Sequence, residues 1–134
     1  MRLLLDTHTF LWFIEDSSKL SQEAKKLLES EVELLLSIAS LWEMAIKISI
    51  GKLTLAEPFH TFIPQQLSKN AIGLLPIRMD HLNLVSSLPF HHRDPFDRLL
   101  VAQAITEHLP IVSIDDKFDS YSVKRIWSNP IDIE

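Results

Sequence analysis

The sequence predicts an α/β domain in which a central, mostly parallel sheet is covered by helices on both faces. Two observations carry this. Short apolar runs, such as residues 2–5 and 33–37, read as buried strands, and they alternate with segments of helical apolar spacing in the manner of β-α-β units. Only two glycines, Gly51 and Gly73, occur in 134 residues, which implies a helix-rich chain with few tight turns.

The first strand, residues 2–5, ends in the polar cluster Asp6-Thr7-His8-Thr9 and feeds a helix over residues 10–15, so Asp6 falls at a strand's carboxyl end. Ser21 precedes a helix over 22–30, and residues 33–37 supply the next strand. A helix follows over 40–49, then a looser helical stretch over 59–69 after Pro58, a third strand at 73–76, and a helix over 80–87. The segment beginning Asp94-Pro95-Phe96-Asp97-Arg98 carries an N-cap aspartate, proline at the first helical position and an apolar stripe behind them. Pro110 stops that helix. Residues 111–114 form a strand ending at Asp115-Asp116, a short helix follows over 117–120, and residues 123–127 are the last strand.

The length suits one domain over residues 1–134, with no repeat, low-complexity tract or Gly/Ser linker to mark a second. There is no cysteine, so any metal must bind oxygen or imidazole, and a reducing compartment is compatible. The apolar start is cut short by Asp6, and no run approaches the ~20 residues of a membrane span. The expected location is the cytoplasm. Thirteen basic and eighteen acidic residues leave a net charge of -5, which argues against a broad basic nucleic-acid surface but not against a local groove.

The carboxylates carry the chemistry. Parallel sheets gather functional groups at the carboxyl ends of their strands, where Asp6 and Asp115 fall. The N-terminal turns of two helices add Glu43 and Asp97. Each acid also has a structural explanation. Ser40 and Glu43 fit a capping box, Asp94 and Asp97 suit a helix N-terminus, Asp6 could cap the first helix, and Asp115 or Asp116 could start the next turn or cap the short helix over 117–120. Jointly they say more, because two unpaired carboxylates ~4 Å apart at an effective dielectric of about 20 repel by roughly 4 kcal/mol. A fold that brings four together does so most sensibly around Mg²⁺ or Mn²⁺.

The six histidines show no zinc spacing. His8 or His92, near the mouth, could contact phosphate. Trp12, Trp42 and Trp127 suit core packing or a partner interface. Arg93, Arg98, Lys47 and Lys52 are candidate contacts to a nucleic-acid backbone, although solvated surface is the commoner fate of such residues.

Four segments, in this order, resemble the PIN domain and, within it, the VapC-type toxins of bacterial toxin-antitoxin pairs. They are Leu3-Leu4-Leu5-Asp6-Thr7-His8-Thr9-Phe10-Leu11-Trp12, then Ser37-Ile38-Ala39-Ser40-Leu41-Trp42-Glu43-Met44-Ala45-Ile46-Lys47, then His92-Arg93-Asp94-Pro95-Phe96-Asp97-Arg98 with its Leu99–Ala104 continuation, and Ile111-Val112-Ser113-Ile114-Asp115. The resemblance implies a three-layer α/β/α sandwich, a Mg²⁺- or Mn²⁺-dependent ribonuclease activity, a homodimer and a cognate antitoxin. By position it implies Asp6, Glu43, Asp97 and Asp115 as the acidic set, with Asp116 an alternative to Asp115. Thr7 or Thr9 matches the family's hydroxyl after the first aspartate, Ser113 the hydroxyl before the last, and Asp94 and Arg98 would orient the site from behind. A haloacid-dehalogenase phosphatase would want Asp-x-Asp, but His8 stands at the second position. A non-catalytic binding module of the same fold is the other alternative.

Overall fold

The computed structural model describes residues 1–127; residues 128–134 of the expected domain lie outside the described residues. Five strands, β1 (Arg2–Leu5), β2 (Glu33–Ser37), β3 (Ile72–Leu75), β4 (Ile111–Val112) and β5 (Arg125–Ile126), form one sheet in the order β3-β2-β1-β4-β5. Every pairing is parallel. The helices are α1 (Thr7–Ile14), α2 (Gln22–Leu28), α3 (Ile38–Ser49), α4 (Phe59–Lys69), α5 (Met79–Val85) and α6 (Pro95–Glu107), with a short 3₁₀ turn at Asp116–Ser120.

Strand alternation divides the apolar residues between two cores. Leu3, Leu5, Leu34 and Leu36 face one side with Phe10, Ala24, Met44 and Ile63, drawn from α1 to α4. Leu4, Leu35 and Ile111 face the other, against Leu100, Val101, Ala104 and Phe118. Side chains one position apart thus serve opposite layers, and the chain is the expected three-layer sandwich. Buried on both faces, these strands need no polar alternation.

Several boundaries move for local reasons. α1 begins at Thr7, earlier than expected, because the Asp6 side chain caps it by accepting from the Thr9 N–H. α3 begins at Ile38 because Ser37 is its N-cap, accepting from the Ala39 N–H. The Ser40 capping box does not form, and the Ser40 hydroxyl is buried without a hydrogen-bond partner. α5 starts at Met79, where the His81 ring accepts from the Arg78 N–H. α6 ends at Glu107 because His108 adopts a left-handed conformation, φ 57, before Pro110 can act. The strand expected at 111–114 stops at Val112, since Ser113 turns toward Asp6. No helix of the described residues is long and apolar enough to cross a membrane.

Candidate functional site

Parallel register places the site. Leu5 pairs with Leu36 on one side and with Val112 on the other, so Asp6, Ser37 and Ser113 leave the sheet along one edge. Asp6 is buried there with both oxygens engaged. Oδ1 accepts from the Thr9 N–H at 2.7 Å, and Oδ2 accepts from the Ser113 hydroxyl at 2.5 Å. Thr9 in turn donates its hydroxyl to the Val112 carbonyl at 2.9 Å, binding the start of α1 to the end of β4.

Glu43, on the second turn of α3, is 7% exposed. It accepts from the Thr7 hydroxyl at 2.8 Å and pairs with Lys47, one helical turn on, at 2.9 Å. Its partners belong to the first turn of α1 and to α3 itself, which replaces the capping role expected with Ser40. Asp94 caps α6, its Oδ1 accepting from the Phe96 and Asp97 N–H groups at 2.8 and 3.2 Å. That cap sets Asp97 in the first turn of α6.

Asp97 reports on the whole arrangement. Burial, followed by the charges of Asp94, Asp6, Glu43 and Asp115, pushes its carboxyl up to about 8. Asp6, Glu43 and Asp115 each lie near enough to act on the Asp97 carboxyl, while of the three Asp115 alone joins it in a cluster of ligand atoms within 4.8 Å. Asp115 differs. Burial pushes it up, but the Lys117 N–H and His92 outweigh that and hold it below the ordinary carboxylate value.

His92, expected near the mouth as a phosphate contact, instead meets the carboxylates. Buried at 7% exposure, its Nε2 lies 2.9 Å from Asp115 Oδ2 and 3.1 Å from Asp97 Oδ2. The ligand atoms of His92, Asp97 and Asp115 all lie within 4.8 Å of one another. Histidine-to-histidine spacings cannot find a lone imidazole among carboxylates. Its place two residues before the Asp94 cap was the available signal.

The remaining candidates take varied places. Arg98 turns toward the loop before α6 rather than toward the acids. It is buried, donates to the carbonyls of Pro89, Val85 and Leu88, and lies 4.0 Å over the Phe90 ring. Asp116 is exposed on the 3₁₀ turn, so Asp115 is the residue of that pair beside His92. Lys47 is engaged by Glu43, while Arg93 and Lys52 are exposed. His8 is also exposed and tilts against Trp12, ring centroids 5.7 Å apart. Trp12 packs edge-on to Trp127, whereas Trp42, 57% exposed, packs edge-on to Phe96. A cavity of about 640 Å³ lined by Phe13, Asp16, Lys25, Glu29 and Lys69 includes none of Asp6, Glu43, Asp97 and Asp115.

An all-parallel α/β/α sandwich with clustered carboxylates at the carboxyl edge of its sheet defines the class. Residues 3–124 match the family described as the PIN domain, and the chain belongs to that family. Ribonuclease VapC22 of Mycobacterium tuberculosis is 30% identical over 131 residues, covering 93% of this chain and 98% of that protein. The fold is shared with VapBC2 from Rickettsia felis, solved bound to a DNA fragment from its promoter, at TM-score 0.72 and 17% identity over 96% of this chain and 100% of that one. It is shared too with FitAcB from Neisseria gonorrhoeae, at TM-score 0.66 and 16% identity over 98% and 99% of the respective chains.

Proposed function

We propose that the chain, as one domain, is an endoribonuclease that hydrolyses RNA phosphodiester bonds with Mg²⁺ or Mn²⁺ held by Asp6, Glu43, Asp97 and Asp115. The observation that carries the reading is the meeting of Asp97 and Asp115, from separate elements, within 4.8 Å of each other, where burial and the charges of Asp94, Asp6, Glu43 and Asp115 push the Asp97 carboxyl up to about 8. A fold that builds such repulsion into a buried rim is relieved by a cation. An all-oxygen set of carboxylates suits the hard divalent ions, and no thiolate is present to favour a softer one.

When bound, a divalent cation neutralises phosphate charge and lowers the pKa of a coordinated water. The chain's own part is to hold the acids. Thr9 and Ser113 orient Asp6, Thr7 and Lys47 orient Glu43, and the Asp94 cap fixes the turn that carries Asp97. Attack by a metal-activated water requires no nucleophilic side chain. The net charge of -5 is compatible with an RNA substrate because the acids concentrate where a cation would offset them.

The named relative is a ribonuclease, and the neighbouring structures include toxin-antitoxin complexes. These support reading the chain as the toxin of such a pair, with a cognate antitoxin, a homodimeric state and a cytoplasmic location. The test compares RNA cleavage by the wild type and by Asp97→Asn, each with Mn²⁺ and with a chelator. Cleavage confined to the wild type with metal is expected. Equal cleavage by both proteins would identify a contaminating nuclease and remove the reading.

A further inference from the structure

His92 stands between two carboxylates, and on distance alone it reads as a third metal ligand with Asp97 and Asp115. The hydrogen on its ring decides otherwise. The Asp94 backbone N–H donates to His92 Nδ1 at 3.2 Å, and a backbone N–H has no alternative form. Nδ1 must therefore keep its lone pair, which places the hydrogen on Nε2. Nε2 is the atom that meets Asp115 and Asp97, at 2.9 and 3.1 Å. Its lone pair is not available to a cation there. Shifting the hydrogen to Nδ1 would set it against the Asp94 N–H and strip Asp115 of its donor.

We propose that His92 is a positioning residue, whose Nε2–H donates to Asp115 and whose ring, 3.1 Å from Asp97, holds the two acids in place for a divalent cation without ligating it. This rests on the reading that those carboxylates bind metal. The two acids belong to separate elements, the first turn of α6 and the loop after β4, and their charges oppose each other's approach. One N–H, donated to Asp115 with Asp97 Oδ2 3.1 Å away, reduces that repulsion. It occupies Asp115 Oδ2, and a carboxylate oxygen with two lone pairs can still ligate.

The imidazole is itself firmly held. The His92 backbone N–H donates to the Tyr121 hydroxyl at 2.9 Å, and that hydroxyl donates to the Pro89 carbonyl at 2.8 Å. The ring tilts against Phe118, centroids 5.8 Å apart. Pro89 also accepts from buried Arg98 at 2.9 Å, so α6 anchors the loop that delivers His92. Asp94 thus acts twice, its amide setting the tautomer and its side chain starting the helix that carries Asp97. Partners behind metal ligands typically govern 10–100-fold in metal affinity.

Calorimetric titration of Mn²⁺ and Mg²⁺ into the wild type, His92→Ala and His92→Gln, without RNA, tests this. Gln places an amide N–H near the Nε2 position, so it should keep affinity within a few fold, while Ala should lose about 10–100-fold. Imidazole ¹⁵N spectra of the unsubstituted protein should show the hydrogen on Nε2 both before and after Mg²⁺. Unchanged affinity in His92→Ala, a Gln variant as weak as Ala, or movement of the hydrogen to Nδ1 on metal addition would each overturn the proposal. The first two results with normal wild-type binding leave the metal site standing; a wild type that binds neither ion removes both.

Discussion

The Thr7 hydroxyl donates to Glu43 Oε1 at 2.8 Å, joining the first turn of α1 to the second turn of α3 across 36 positions of sequence. It gives a buried carboxylate one of its two fixed partners, the other being Lys47. Thr7→Val keeps the shape and removes the donor, so the metal-free chain should lose about 1.5–3 kcal/mol, the usual worth of a hydrogen bond to a charged group. Thr7→Ser should recover most of it. Urea midpoints measured with a chelator present check this, and an unchanged midpoint in the valine variant would mean the bond contributes nothing.

Stability of the metal-free chain should fall as pH rises. Asp97 is raised from 3.8 to about 8 by burial and then by its acidic neighbours, so between those values the folded chain binds more protons than the unfolded one. The stabilisation is complete below the ordinary carboxyl value and is lost as pH climbs through about 8, by at most about 1.4 kcal/mol per pH unit for one proton. Asp115, held below its ordinary value, works in the opposite sense, its contribution being lost as pH falls through the folded value. Melting curves across pH in chelator should show the decline, and Asp97→Asn should flatten it.

Metal should reverse that decline. Mn²⁺ or Mg²⁺ at a hundred times its dissociation constant should stabilise the wild type by about 2.7 kcal/mol, and more strongly at high pH, where Asp97 need not shed a proton. Asp97→Asn should show little gain. A wild-type melting temperature indifferent to both ions at pH 8 would contradict the site.

The two serines at the start of α3 should respond in opposite ways. Ser37→Ala removes the true N-cap and should cost about 1 kcal/mol. Ser40→Ala removes a buried hydroxyl that has no partner and should be neutral or slightly stabilising. Denaturant titration separates them, and a loss on Ser40→Ala alone would restore the capping box.

Arg98→Ala should destabilise by about 2–3 kcal/mol, because the carbonyls of Val85, Leu88 and Pro89 lose a charged donor and the Phe90 ring loses its cation. Hydrogen exchange should accelerate in residues 85–92. Exchange unchanged there would show the segment to be held by other contacts.

The acidic set and the layered fold could be read in the chain because each depends on local pattern. Continuous apolar runs ending in Asp6 and before Asp115, and the Asp94-Pro95 start of α6, are signals written over a few neighbouring positions. What they could not convey is which partner each polar group takes. Ser40 and Glu43 have the spacing of a capping box, yet Ser37 caps α3 and Glu43 turns to Thr7. Arg98 follows Asp97 directly, yet the helix points its side chain to the loop at Pro89. His92 stands two residues before the Asp94 cap, which places it near the mouth, but acquires its partners only when β4 brings Asp115 beside α6. Helix phase and strand register turn adjacent residues in different directions and bring distant ones together. Position along the chain therefore determined which elements and acids exist, while three-dimensional packing decided which donor each acid receives.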